Sequence, residues 1–176
     1  MIEHEAKILD IDPQEIENKL LDAGAKFIAE RNMCRYVYDV EVGDASRWLR
    51  LRDDGSEVTL TYKHVHHGGI DGVDEVEVQV GDFEATNALL AVLGYTPKGY
   101  QENRRISYTL DGAQVELDFW PLLPAPYLEI EGESREHVIR VAGLLGYGEE
   151  QLSTEGTVEI YARHGIVLAS ISDLRF

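Results

Sequence analysis

Much of this chain alternates polar and apolar residues with a period of two, the mark of strands with two unlike faces. EHEAK opens it, with Glu3, Glu5 and Lys7 on one side. RWLRLRDDGSEVTLTYKH predicts a hairpin turning at Asp54-Gly55, and RRISYTLDGAQVELDFW a second turning at Asp111-Gly112. RYVYDV predicts a further short strand, EVEVQV and YLEIEG two more, and HVHHGGIDGVD a loop. Three segments instead carry apolar residues at helical spacing. Each follows a strand with a Glu-x-Glu pair, and each is stopped near a glycine: Gly24, Gly94 and Gly146. Asp12 before Pro13 marks the start of the first helix. The pattern predicts about eight strands and three main helices in a single domain spanning residues 1–176, with the helices covering one side of the sheet. The commonest closed arrangement for that many mainly antiparallel strands is a barrel.

Sorting each strand by face separates charge from apolar residues. Glu3, Glu5, Lys7, Arg50, Arg52, Lys63, Glu75, Glu77, Arg105, Glu116, Asp118, Glu129 and Glu131 all fall on polar faces. Thr59, Thr61, Gln79, Asn103, Ser107, Thr109 and Gln114 fall on the same faces. Leu, Val, Ile and Tyr fill the opposite ones. Two arrangements produce this pattern. One is an open sheet with helices on its apolar face and water on the other. The second is a closed sheet whose polar face lines a lumen. Charge of both signs is clustered there, with eight carboxylates and five bases, and neutral polar residues are few beside it. This favours the lumen.

Composition sharpens the point. The chain has 33 Asp and Glu against 16 Lys and Arg, a formal net charge of -17. Such a surface repels nucleic acid, so nucleic acid is not the expected partner. Five of the scarce bases nevertheless sit on the polar strand faces. One cysteine, Cys34, permits no internal disulfide and fits a reducing cytoplasm. No stretch has the length of a membrane span, and MIEHEAKI lacks the basic start and apolar run of a signal peptide.

A lumen dense in charge cannot be dry, because unpaired buried charge is too costly. Its bases match phosphate oxygens, Arg in a two-pronged fork. Its carboxylates would repel phosphate unless hard cations stand between them, and Mg²⁺ or Mn²⁺ with oxygen ligands fills that role. The expected site is metal-assisted and takes a compound with several phosphates.

In this order EHEAK, WLRLR followed by LTYKH, EVEVQV before a helix, RRISY, VELDFW and YLEIEGE resemble the CYTH superfamily, the triphosphate tunnel metalloenzymes. The resemblance covers nearly the whole chain. It implies an α+β fold, a closed eight-stranded antiparallel barrel forming a tunnel with helices outside. It also implies a small-molecule triphosphate substrate and a divalent metal. By position it assigns Glu3, Glu5, Glu129 and Glu131 to metal, with Asp118 as a second-site acid. Lys7, Arg50, Arg52, Lys63 and Arg105 are assigned to the triphosphate, and Glu75, Glu77 and Glu116 support them. Glu5, Lys7 and Glu131 are the expected catalytic groups. One position departs: the family's Lys-x-Arg reads Asn103-x-Arg105 here, and Lys98 in the preceding loop is the candidate to replace the missing cation.

The resemblance covers several reactions. Hydrolysis of inorganic tripolyphosphate, thiamine triphosphate or a nucleoside triphosphate needs the fewest specific contacts and is the leading expectation. Conversion of ATP to cyclic AMP and pyrophosphate, as in class IV adenylyl cyclases, is the alternative. Non-catalytic binding of polyphosphate or a nucleotide is a third. Other features have plainer readings. His64, His66 and His67 match no common zinc spacing and predict an exposed loop. Cys34 reads as a packed residue, Trp48 and Trp120 as packing at strand ends, and Tyr36 and Tyr38 as outer-face packing. WPLLPAP is a Pro-stiffened connection at the tunnel mouth. A homodimer is compatible with the size and charge.

Overall fold

The computed structural model describes residues 2–176. The polypeptide forms one ten-stranded sheet with four α-helices. The N-terminal segment is split by His4 into β1 (Ile2–Glu3) and β2 (Glu5–Ile8). Helix α1 (Pro13–Asp22) follows, then β3 (Lys26–Asp39), β4 (Arg47–Asp53), β5 (Val58–Val65) and β6 (Val73–Val80). Next come α2 (Phe83–Val92), β7 (Pro97–Leu110), β8 (Ala113–Phe119), β9 (Tyr127–Glu131) and α3 (Arg135–Leu144). A C-terminal unit adds α4 (Thr157–Arg163) and β10 (Asp173–Leu174). None of these helices is long and apolar enough to cross a membrane.

The three predicted helices start as their sequences dictate. Asp12, Asp82 and Ser134 each accept a hydrogen bond from the backbone N–H three residues on, at 2.8, 2.7 and 3.2 Å. Gly24, Gly94 and Gly146 end them at φ of +80°, +94° and +84°, a conformation that costs a glycine little. At the β7–β8 hairpin both Asp111 and Gly112 take positive φ, the requirement of a tight two-residue turn.

Along the hydrogen-bonded path the strands run β1-β6-β5-β4-β3-β7-β8-β9-β2, all antiparallel, with β10 added parallel to β7. The expectation of eight strands is corrected to ten for two reasons. The N-terminal strand breaks at His4, half of it pairing with β6 and half with β9. The C-terminal tail contributes β10. The short strand expected at RYVYDV extends back to Lys26, so that β3 and β7 pair over most of their lengths. The two ends of the path are thus consecutive pieces of one segment. Glu5 N–H donates to Ile70 O at 2.9 Å, and Gly132 N–H to His4 O at 3.0 Å, across that junction.

Helices cover the apolar face. Ile16 and Leu20 of α1 and Val138, Val141 and Ala142 of α3 pack on Ala6, Ile8, Ile106, Val115, Leu117, Leu128 and Ile130. Leu90 of α2 packs on Tyr38 and Leu51, and Tyr36 stacks on Phe83 with ring centroids 5.1 Å apart. Both tyrosines lie on the helix-covered face, as their alternation predicts. A third cluster was not foreseen: Ile160 and Tyr161 of α4, with Leu168 and Leu174, enclose Trp120 and Tyr127. There Tyr161 donates its hydroxyl to Pro121 O at 2.6 Å, tying α4 to the Pro-stiffened connection.

Candidate active site

The register brings the polar faces into one surface. Arg50 faces Thr61 across β4–β5, and Thr61 faces Glu77 across β5–β6. Lys63 pairs with Glu75, Arg105 with Asp118, Glu116 with Glu129, Lys7 with Glu129, and Glu5 with Glu131. Arg52 faces Thr59 beside them, and Glu3 is reached by Lys63 Nζ, so all thirteen charged residues expected from alternation are on it.

Acids and bases interlock there. Lys63 Nζ lies 2.8 Å from a carboxylate oxygen of Glu3 and 2.8 Å from Glu75. Lys7 Nζ lies 2.8 Å from Glu5 and 3.0 Å from Glu129. Arg105 contacts Glu116, Asp118 and Glu129 at once, with Nε to Asp118 at 2.9 Å and Nη2 to Glu129 at 3.0 Å. Arg50 and Arg52 are held more loosely, at 3.5 and 3.6 Å from Glu77. Thr61 donates to Glu77 at 2.6 Å and fixes its rotamer.

Burial and neighbours divide the carboxylates into two kinds. Burial, only partly offset by Lys63, pushes Glu3 up to about 8. Burial and repulsion from Glu129, Glu5 and Glu116 push Glu131 up to about 7. Glu116 is also raised, by burial first. Glu129 goes the other way: despite burial, Lys7 and Arg105 hold it well below the usual carboxylate range. Conversely, the carboxylates Glu129 and Glu5 overcome burial and raise Lys7, which stays charged. The surface carries more acid than its bases neutralise around Glu3, Glu5 and Glu131.

That surplus is what a hard divalent cation satisfies, and the donors are all carboxylate oxygens, the type such a cation prefers. Among the described residues no three His, Cys, Asp or Glu are already grouped as a metal centre. The acids are instead drawn onto Lys7, Lys63 and Arg105. Glu3, Glu5 and Glu131, two of them poised to give up a proton, fit a cation best. Asp118 is fully buried, and its oxygens accept from Arg105 and from Asn103 Nδ2 at 2.9 Å, so it orients bases.

Two expectations change. Lys98 does not reach this surface; it is the second residue of β7, pairs with Asp39 and is exposed. The exposed loop expected at His64, His66 and His67 holds for His66 and His67, but His64 belongs to β5, where it pairs with Arg47 and is partly buried. His66 bonds Asp74 at 2.9 Å, and its ring lies 4.0 Å from that of His64. Trp120 is packing at a strand end, as expected, but its ring also lies under a cation, the Arg35 guanidinium, at 4.7 Å. Arg35 is the functional candidate that strand alternation missed. It lies on β3, is 7 % exposed, and donates to Asn103 Oδ1. Arg104 stays on the other face, bonded to Glu30 at 2.8 Å and stacked on Phe119.

Comparison with known proteins places this architecture. In structure the chain is similar to a conserved hypothetical protein from Pyrococcus furiosus, with a TM-score of 0.77, 23% identity, and coverage of 90% of this chain and 99% of that one. The PH1012 protein from Pyrococcus horikoshii OT3 matches with a TM-score of 0.77, 24% identity, and the same 90% and 99% coverage. HpAC1 from Hippeastrum, for which a dominant triphosphatase activity is described, matches with a TM-score of 0.61, 20% identity, and 93% and 95% coverage. Among curated protein sequences none matches. These similarities speak to the fold. The model of the CYTH domain matches residues 1–155, with EHEAK at its start and YLEIEGE near its end, and the chain belongs to the CYTH domain family.

Proposed function

We propose that this chain is a divalent-cation-dependent triphosphatase whose sheet closes through its N-terminal segment into a tunnel. Counting β1 and β2 as one broken strand beside β3–β9 gives an eight-stranded wall. Support comes from the pairing of Ile2–Glu3 with β6 and of Glu5–Ile8 with β9, one residue apart. The observation that carries the hydrolytic reading is Glu131. It is a carboxylate on the same polar surface as the five cations, paired across β2–β9 with Glu5 and, among the described residues, held in no ion pair, so it can accept a proton.

The roles follow from placement. Lys7, Arg50, Arg52, Lys63 and Arg105 hold the oxygens of a triphosphate and offset charge as it shifts to the leaving group. Arg50 and Arg52, the loosely paired cations, can exchange Glu77 for phosphate at little cost. Glu3, Glu5, Glu129 and Glu131 would hold Mg²⁺ or Mn²⁺. When bound, such a cation supplies charge neutralisation at phosphate oxygens and acidifies coordinated water. Glu131 accepts the proton of the attacking water. The water oxygen forms a bond to the terminal phosphorus, the bridging P–O bond breaks, and its electron pair leaves with the diphosphate. Lys7, paired to both Glu5 and Glu129, orients those acids. Glu75, Glu77, Glu116 and Asp118 aim the bases.

The test is a substrate panel with product identification. Tripolyphosphate, thiamine triphosphate and ATP are each incubated with Mg²⁺ or Mn²⁺ and followed by phosphorus NMR. Release of phosphate and the matching diphosphate is expected. Cyclic AMP as the main product from ATP would replace hydrolysis by cyclisation. Tight binding without turnover would make the chain a binder.

A further inference from the structure

Arg35 stands apart from the other cations on the polar surface. Lys7, Arg50, Arg52, Lys63 and Arg105 each make at least one ion pair. Among the described residues Arg35 makes none, although it is 93 % buried. Its Nε has no hydrogen-bond partner there. Its one polar contact is Nη2 to the Asn103 amide oxygen, a neutral group. Its strongest electrostatic neighbours, after burial itself, are the cations Arg50, Arg52 and Arg105, with Asp118 the opposing carboxylate. Asp118 is already engaged by Arg105 and Asn103. A buried, unpaired charge is among the costliest features a fold can carry, and sequences tolerate it where a ligand completes the pairing.

The surroundings hold the guanidinium still. Trp120 lies beneath it at 4.7 Å, and Trp120 is itself locked against Tyr161 in an edge-on contact at 6.3 Å. Asn103 bridges, accepting from Arg35 and donating to Asp118. Arg35 faces Arg52, its register partner on β4, and Arg52 in turn faces Thr59 on β5. Thr59 is 5 % exposed and its hydroxyl also has no partner among the described residues. Donors without acceptors from β3 and β5 flank Arg52 of β4.

We propose that Arg35 is a sixth phosphate-binding cation, a residue that contacts the substrate triphosphate directly and is held for that contact by Asn103 and Trp120. The inference rests on the triphosphate reading of the same surface. Planar, fixed and uncompensated, Arg35 takes two phosphate oxygens without first breaking an ion pair, as each of the other five must. It therefore contributes more to affinity than its single charge would at an exposed site.

Calorimetric titration of the intact protein with inorganic tripolyphosphate in the presence of Mg²⁺ tests this. Arg35→Gln is expected to weaken binding roughly 10- to 100-fold, the cost of charge-assisted hydrogen bonds. The double variant Arg35→Gln with Asn103→Lys returns a cation to the adjacent strand and is expected to regain most of that loss. A thermal melt shows whether each variant is folded. If Arg35→Gln does not fold, Arg35→Lys, which keeps the charge but not the fork, is expected to bind several-fold more weakly. Wild-type affinity in Arg35→Gln or Arg35→Lys, or a loss that the double variant fails to recover, overturns the role of Arg35 alone. Absence of binding by the wild-type protein overturns the triphosphate reading and this inference with it.

Discussion

Lys63 on β5 reaches past β6 to bond both carboxylate oxygens of Glu3, at 2.9 and 2.8 Å. The contact joins the sheet to the first residues of the chain, where the N-terminal segment passes from one end of the strand path to the other. Lys63 is 9 % exposed, so this pair is worth more than a surface ion pair when it is broken.

At pH 9, where Glu3 and Lys63 are both charged, Lys63→Met is therefore expected to destabilise the metal-free protein by about 3 kcal/mol, because Glu3 and Glu75 lose their counter-charge in a buried setting. Adding Glu3→Gln to it should recover a large part of that loss, since the stranded carboxylate is then neutral. Urea denaturation of the two single variants and the double gives the coupling directly. Additive effects would mean that the two side chains are independent.

Glu3 and Glu131 make a pH prediction of unusual sign for carboxylates. Their folded-state values, about 8 and about 7, lie above the ordinary 4.5 of an unfolded glutamate. Between those limits the folded protein binds more protons than the unfolded chain, so stability falls as pH rises. The contribution is fully present below pH 4.5 and lost as pH passes through 7 and 8. Glu129 opposes this only at the acid end, because its depressed value adds stability above 4.5 that disappears on acidification. The metal-free melting temperature should thus decline from about pH 5.5 to 8.5. Glu131→Gln should flatten part of the slope, and added Mg²⁺ should stabilise more at pH 8.5 than at pH 5.5.

The same residue carries the hydrolytic prediction. Glu131→Gln keeps size and hydrogen bonding but cannot take a proton. The rate of phosphate release from tripolyphosphate should drop by roughly 10²- to 10⁴-fold, with a much smaller change in KM. Glu5→Gln should instead raise the Mg²⁺ concentration needed for half-maximal rate. Full activity in either variant would remove that glutamate from its role.

How well the sequence foretold these residues depended on contrast between the two faces of each strand. Where one face is charged and the other apolar, as in β5, β6, β8 and β9, alternation located every side chain correctly. In β3 it failed, because Met33 and Val37 flank Arg35 on its own face while Cys34, Tyr36 and Tyr38 line the other. One arginine between apolar neighbours gives no periodic signal. Its partner Asn103 was visible as an oddity, but the explanation lay on a strand far away in sequence. The break at His4 was equally hidden, since EHEAK alternates without interruption while its pairing partner changes from β6 to β9. Helix α4 is short, seven residues, and its TVEIYAR sequence has too few turns to show a period.

That C-terminal helix supplies a last prediction. Tyr161 is wholly buried, packs edge-on against Trp120 and donates to Pro121 O. Tyr161→Phe removes only the hydrogen bond and should cost about 1 kcal/mol. Tyr161→Ala opens a cavity against Trp120 and should cost roughly 3–5 kcal/mol. The consequence extends to the site, because Trp120 is the platform on which the Arg35 guanidinium rests. Tyr161→Ala should therefore shift tryptophan emission to longer wavelength and weaken tripolyphosphate binding together, whereas Tyr161→Phe should leave both nearly unchanged. A Tyr161→Ala protein that is folded, with altered emission but wild-type affinity, would show that the platform does not hold Arg35 in place.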